Sequence, residues 1–226
     1  MPKFTMPSPG SAHFRGGRNA ISRTVYPDLE EFWADLGAAY RTAIRHLYDV
    51  GFSYLCDDKV RENFQKNGDD PKDLPRTYAD AINMALEDWP ADLGVTMHTC
   101  RGNFRSTGFA AGGYQDAVVE AMFSAGVDGF FMEYDSERAG GFEPLRLLPK
   151  GKRVVLGLVT TKSGTLESKE SLKRRIDEAA KIVPLESLCL SPQCGFASTH
   201  HGNKLKEDEQ WRKLERIVEV AREVWH

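Results

Sequence analysis

Apolar residues fall along this chain in two alternating rhythms. Short runs, apolar at odd and even positions alike, occur at 3–6 (KFTM), 52–56 (FSYLC), 94–98 (GVTMH), 128–133 (DGFFME), 153–159 (RVVLGLV) and 187–191 (SLCLS). Runs of this length and composition predict strands covered on both faces, as in a parallel sheet. Between them lie segments whose apolar residues recur three or four apart, the spacing of one helix face. The first begins after Pro27 and stops at Gly51, with Leu29, Phe32, Leu36, Tyr40, Ile44 and Leu47 in line. Others cover about 72–88, 114–125, 168–182 and 207–224, the last repeating Trp211, Leu214, Ile217, Val218, Ala221 and Val224. The connection YDSERAGGFEPLRLLPKGK has only weak helical character. Six strands and five clear helices in alternation predict an α/β chain with helical crossovers. A β/α barrel needs eight strands, whereas an open doubly wound sheet can stop at six.

Composition narrows the classes. The chain has 226 residues, 41% hydrophobic and 28% charged, which suffices for a substantial core. Its formal net charge of -3 gives no broad attraction to nucleic acid or to an anionic membrane. No apolar run approaches the roughly 20 residues that cross a bilayer. The first residues lack the apolar stretch of a signal peptide, so a cytoplasmic location is expected. Four cysteines occur, Cys56, Cys100, Cys189 and Cys194. In such a chain they point to metal binding or catalysis before a disulfide framework. Cys56 and Cys189 sit inside strand-like runs and read as small buried hydrophobes. Cys100 and Cys194 lie beyond strand ends, among polar and turn residues.

His98 and Cys100 stand two apart in HTCRGN, directly after a predicted strand. Alternate residues of an extended chain face one way, so both can address one point. Glu133 closes the next strand and Cys194 follows the last. Parallel strands end on a common face, where α/β proteins place their sites. An imidazole, two thiolates and a carboxylate form a donor set suited to Zn²⁺. The residues alone leave alternatives open, because a lone H-x-C pair is weak and a strand-end glutamate often makes a salt bridge.

HTCRGNF, GFFMEYDSERAG and LCLSPQCGFAST together resemble the three zinc-bearing segments of the cobalamin-independent methionine synthase family, in its C-terminal catalytic barrel. The likeness is greatest to short single-barrel relatives and runs through nearly the whole chain. It implies that His98, Cys100, Glu133 and Cys194 bind Zn²⁺. It also implies methyl transfer from a 5-methyltetrahydrofolate-type donor to the thiol of homocysteine, in methionine biosynthesis. The fold it implies is a partial (β/α)8 TIM barrel of about six β/α units, a single incomplete domain over 1–226.

Departures from the family shape the expectation. The six strands match the last six of its barrel, and a wall lacking two units exposes sheet edges. Either the chain is a truncated form or a second subunit, as in a homo-oligomer, covers the gap. Family members carry an acidic Q-x-D-D/E motif after the fourth strand, where an aspartate holds the amino group of homocysteine. Asp57 and Asp58 are the candidates here; a short deletion, with both as turn or helix-cap residues, is the alternative. Full methionine synthases have a histidine after the seventh strand, thought to act as general acid, and Lys162 falls near that place. That difference opens the donor to a simpler methylated folate, a corrinoid or another methylated compound.

Other features are weaker. Arg15 and Arg18 flank two glycines in HFRGGR, either as holders of a carboxylate or phosphate or as a solvated turn. Arg101 either contacts substrate or offsets the thiolates. His200 and His201 read as surface residues, and Ser168 as a helix cap. Two alternatives to the methyltransferase stand: a zinc-binding homologue without catalysis, and a metal-free barrel of the uroporphyrinogen decarboxylase type with another substrate.

Overall fold

Several helices begin where a side chain caps the first turn. The computed structural model describes residues 4–14, 16–50, 73–103, 105–107, 112–197 and 200–225. Arg15, Cys56, Asp57 and the predicted strand at 52–56 lie outside them. Helix α1 (Leu29–Asp49) starts at Asp28, whose carboxylate accepts from the N–H groups of Glu30 at 2.9 Å and Glu31 at 3.2 Å. Helix α2 (Leu74–Ala85) has proline in its first turn, where a missing N–H costs nothing. Strand β1 (Thr96–Thr99) and helix α3 (Asp116–Phe123) follow, then β2 (Gly129–Glu133) and β3 (Arg153–Val159). Helix α4 (Lys169–Ala180), β4 (Leu188–Pro192) and α5 (Glu207–Val224) complete the order. The 134–152 connection forms two short 3-10 turns, Glu137–Ala139 and Glu143–Leu147.

Two compact units emerge, divided between His98 and Thr99 and again on either side of Ala117–Asp128. In the first, α1 buries Phe32 and Ile44 of its predicted face together with Trp33, which that face did not include, and Ala81 and Ile82 of α2 also lie in the core. Gly37 makes the two helices' close approach feasible, since a Cβ there would lie 2.9 Å from Met84 Cβ. His13, with no exposed surface, stacks 5.3 Å from Trp33 and shares a 3.1 Å hydrogen bond with Tyr78. Arg18 donates to the carbonyls of Ile21, Tyr26 and Pro27, so it ties down its own loop. The run predicted as a strand at 3–6 forms no strand over residues 4–6. Pro7 and Pro9 follow at once, and proline cannot donate to a ladder.

The sheet has the order β1-β2-β3-β4, and the chain passes from one unit to the other within β1. In the second unit β2, β3 and β4 are parallel, with Met132 opposite Leu156 and Leu156 opposite Leu190. Phe130, Val154 and Leu156 have no exposed surface, as continuous apolar runs require. Helix α4 packs on β3, and α5 packs on both β4 and α4. Ser168 caps α4 through Ser171 N–H at 3.1 Å. Lys169 and Lys173 bridge α4 to Glu219 and Glu223 of α5, and together they hold the Glu223 carboxyl at about 2.

The buried face of α5 differs from the predicted one. Lys213, Ile217 and Val220 are buried, while Trp211 is 60% and Val218 48% exposed. Buried Lys213 pairs there with Glu167 at 2.8 Å, which compensates the burial of its charge on this face. Two substitutions report this core. Leu156→Ala is expected to cost about 2–5 kcal/mol of stability, and Val218→Ser less than about 0.5 kcal/mol. Urea unfolding midpoints of the two variants measure the contrast.

Candidate metal centre

The carboxyl ends of β2 and β4 carry the acid and one of the thiols. Glu133 ends β2 with no exposed surface. Its register partner in β3 is Gly157, where an added Cβ would lie 3.1 Å from Met132 O and 3.3 Å from Glu133 Cα. A side chain there would be crowded against the strand that carries the acid. The Glu133 N–H donates to Tyr114 Oη at 3.0 Å, and the Tyr134 N–H to Gly157 O at 3.0 Å. Burial pushes the Tyr114 hydroxyl up to about 12, so it stays neutral beside the carboxylate.

Both carboxylate oxygens of Glu133 are engaged. Oε1 accepts from Cys194 Sγ at 2.6 Å. Oε2 accepts from the Arg101 N–H at 3.0 Å and from Gln193 Nε2 at 3.4 Å. Cys194 Sγ also lies 2.8 Å from Cys100 Sγ, which in turn accepts from the Gly102 N–H at 3.3 Å. Gly195, at φ +114, makes the turn that returns the Cys194 loop. The hydrogen bond with Cys100, then burial, then the charge of Glu133 push the Cys194 thiol upward. Two thiols and an acid therefore crowd together, and Arg138 Nη2 stands 3.9 Å from Glu133. A sulfur, sulfur and oxygen set fits a borderline-soft divalent ion such as Zn²⁺, which would invert the protonation preference of the thiols.

Of the four predicted ligands, Cys100, Glu133 and Cys194 meet within the second unit. His98 lies in β1 at the end of the first, one residue before Thr99. Thr99 anchors that strand end by donating its hydroxyl to Phe131 O at 3.0 Å. The alternation of an extended chain remains the argument for His98 facing as Cys100 does.

Lys162 sits beside the cluster. Its ammonium donates to Gln193 Oε1 and pairs with Asp135 at 3.4 Å, the two side chains being 13% and 5% exposed. Arg101 turns its guanidinium to the carbonyls of Gly112 and Arg138 and over the Tyr114 ring at 5.0 Å, rather than to the thiols. His200 and His201 are exposed, as expected. Sequence reasoning missed Gln193, Asp135 and Asn103. Asn103 Nδ2 reaches Thr161 Oγ1 at 2.8 Å and Gly195 O at 3.2 Å, tying two loops. The available signal was adjacency: Gln193 precedes Cys194, Asp135 follows Glu133 by two, and Asn103 follows Cys100 by three.

Comparison with known proteins gives a consistent picture. Residues 20–223 match the family model described as the catalytic domain of cobalamin-independent synthase. The uncharacterized protein YxjH of Bacillus subtilis is 48% identical over 99% of the chain, which spans 62% of that relative. A methionine synthase of Methanothermobacter marburgensis is 25% identical over 84% of the chain and 53% of its own length. Among solved structures, a candidate vitamin-B12 independent methionine synthase from Listeria monocytogenes superposes with a TM-score of 0.77 at 38% identity. That match covers 99% of this chain and 64% of the other.

The geometry predicts a proton-coupled affinity. Each thiol binds a metal as thiolate, so an ion entering between Cys100 and Cys194 displaces two protons. A raised thiol keeps its proton longer, and lower pH therefore opposes binding. Apparent zinc affinity is expected to rise by up to about a hundredfold per pH unit while both thiols start protonated. Chelator competition between about pH 6 and 8 measures the slope, and a flat profile removes the thiols from the site.

Proposed function

The chain belongs to the family of the cobalamin-independent synthase catalytic domain, and from that premise we propose that it is a zinc-dependent methyltransferase acting on the thiol of homocysteine. The observation that carries the reading is the meeting of Cys100, Cys194 and buried Glu133 at the rim of a parallel sheet. His98, two residues before Cys100, completes the ligand set in this proposal. Zinc, when bound, supplies Lewis acidity that keeps a substrate thiol deprotonated near neutral pH.

The chain's own residues then divide the work. Cys100 and Cys194 give up their protons to become anionic donors. Glu133 is held in one orientation by the Arg101 N–H and the Gln193 amide, so its free geometry is small. In this reading Lys162, held by Asp135 and Gln193, receives the anionic end of an amino-acid thiol. Asp57 and Arg15 join the proposal as substrate contacts on sequence grounds alone. The methyl donor proposed is a methylated folate of the 5-methyltetrahydrofolate type, in-line with the sulfur.

Two measurements test this. The purified chain should hold about one zinc, and Cys100→Ser and Cys194→Ser should each lose most of it. Full zinc occupancy in both variants would overturn the site. Transfer of a labelled methyl group to homocysteine tests the activity, and zinc retention without transfer favours a binding protein instead. At saturating zinc, Lys162→Met should raise the KM for homocysteine about tenfold or more, the loss of one hydrogen bond to a charged group. An unchanged KM removes Lys162 from substrate recognition.

A further inference from the structure

The core face of α5 contains a residue that an amphipathic helix ordinarily excludes. Lys213 has a side chain with no exposed surface. A buried ammonium is costly unless charge and hydrogen bonds compensate it, so its partners are informative. They all lie in the loop that follows β3. Lys213 Nζ donates to Thr165 O and to Glu167 Oε2, the latter at 2.8 Å. The other oxygen of the same carboxylate, Oε1, accepts from the Thr160 N–H at 2.9 Å. Arg216, one turn along α5, donates to Glu167 O at 2.6 Å. The helix thus grips the loop at Thr165 and Glu167 directly, and at Thr160 through the Glu167 carboxylate.

From Thr160 the connection continues inward. Its hydroxyl reaches Asp135 Oδ2 at 3.1 Å and Gln193 Oε1 at 3.2 Å. The Thr161 N–H also points to Gln193 Oε1, at 3.4 Å, and Thr161 has no exposed surface. Gln193 spends its remaining amide group on Glu133 Oε2 and precedes Cys194 in the chain. With its acceptor oxygen held by Thr160, Thr161 and Lys162, the Gln193 amide can present only its N–H₂ to Glu133.

We propose that Lys213 and Glu167 are a buried positioning pair, which fixes the loop after β3 and through Thr160 and Gln193 orients the Glu133 and Cys194 donors. The proposal rests on the metal reading above for its functional consequence. Partners behind the ligands commonly govern affinity, because they fix the direction of the donor atoms. The pair touches neither substrate nor metal, and acts only by position.

Lys213→Met tests it, paired with Thr160→Val, which leaves the ion pair intact and removes the hydroxyl that transmits its effect. Replacing a buried charge by an apolar chain of similar volume is tolerated best when the counter-charge goes too, so Lys213→Met/Glu167→Gln is the companion variant. Expected are cooperative thermal unfolding in all three, zinc affinity lowered about ten- to hundredfold, and faster hydrogen exchange at the Thr160 amide in the two variants that lack Lys213. A folded Lys213→Met, or the double variant where the single one fails to fold, with wild-type zinc affinity overturns the proposal. So does Thr160→Val with unaltered affinity. If the unaltered chain itself takes no zinc, the metal reading falls. The exchange rate at Thr160 then decides by itself whether the pair holds the loop, and an unchanged rate sinks it.

Discussion

A carboxylate without solvent governs this structure. Glu133 has no exposed surface, and a buried charge of that kind persists only where several donors converge on it. Its neighbours are therefore dictated by necessity. A backbone N–H from the β1 exit, an amide from the β4 exit and a thiol all point at two oxygen atoms. Meeting that demand brings together segments that are 94 residues apart in sequence, Cys100 and Cys194. The neighbouring strand presents Gly157 opposite Glu133, where a side chain would be crowded against Met132 O and Glu133 Cα.

The ring of polar residues outside Glu133 obeys the same rule. Asp135, Thr160, Lys162 and Gln193 each satisfy one another's buried groups, and low local dielectric strengthens every one of these bonds. Such a network leaves little freedom for the donor atoms it surrounds. Helix α5 extends the network to the far side of the loop with Lys213, at the expense of an otherwise apolar face. The irregular register between β3 and β4 at Gly157 and Val159 falls at the same level. Strand irregularities of this type re-aim the residues that follow, here the turn bearing Cys194.

Hydrophobic rhythm made most of the described architecture legible. The expected strand at 153–159 matches β3 residue for residue, and the expected helix at 207–224 matches α5. The failures have local causes. Residues 4–6 carry a strand-like composition but precede Pro7 and Pro9. The apolar pattern of α5 placed Trp211 and Val218 inward, yet the buried face carries Lys213, paired with Glu167. Periodicity counts apolar residues only, so it cannot anticipate a lysine that is buried by its partner.

Sequence alone determined the strand and helix order and the donor types, because periodicity and residue chemistry are local properties. It also singled out Cys100, Glu133 and Cys194 as residues at strand ends, where parallel strands bring their exits to one rim. Only the tertiary structure decided which polar residues stand behind them. Gln193, the loop residues Thr160 and Glu167, and Lys213 lie in three separate segments, and no spacing along the chain relates those segments. Their association depends on the three-dimensional closure of the loop after β3 against α5, which is where hydrogen-bond geometry selects partners that composition leaves undefined.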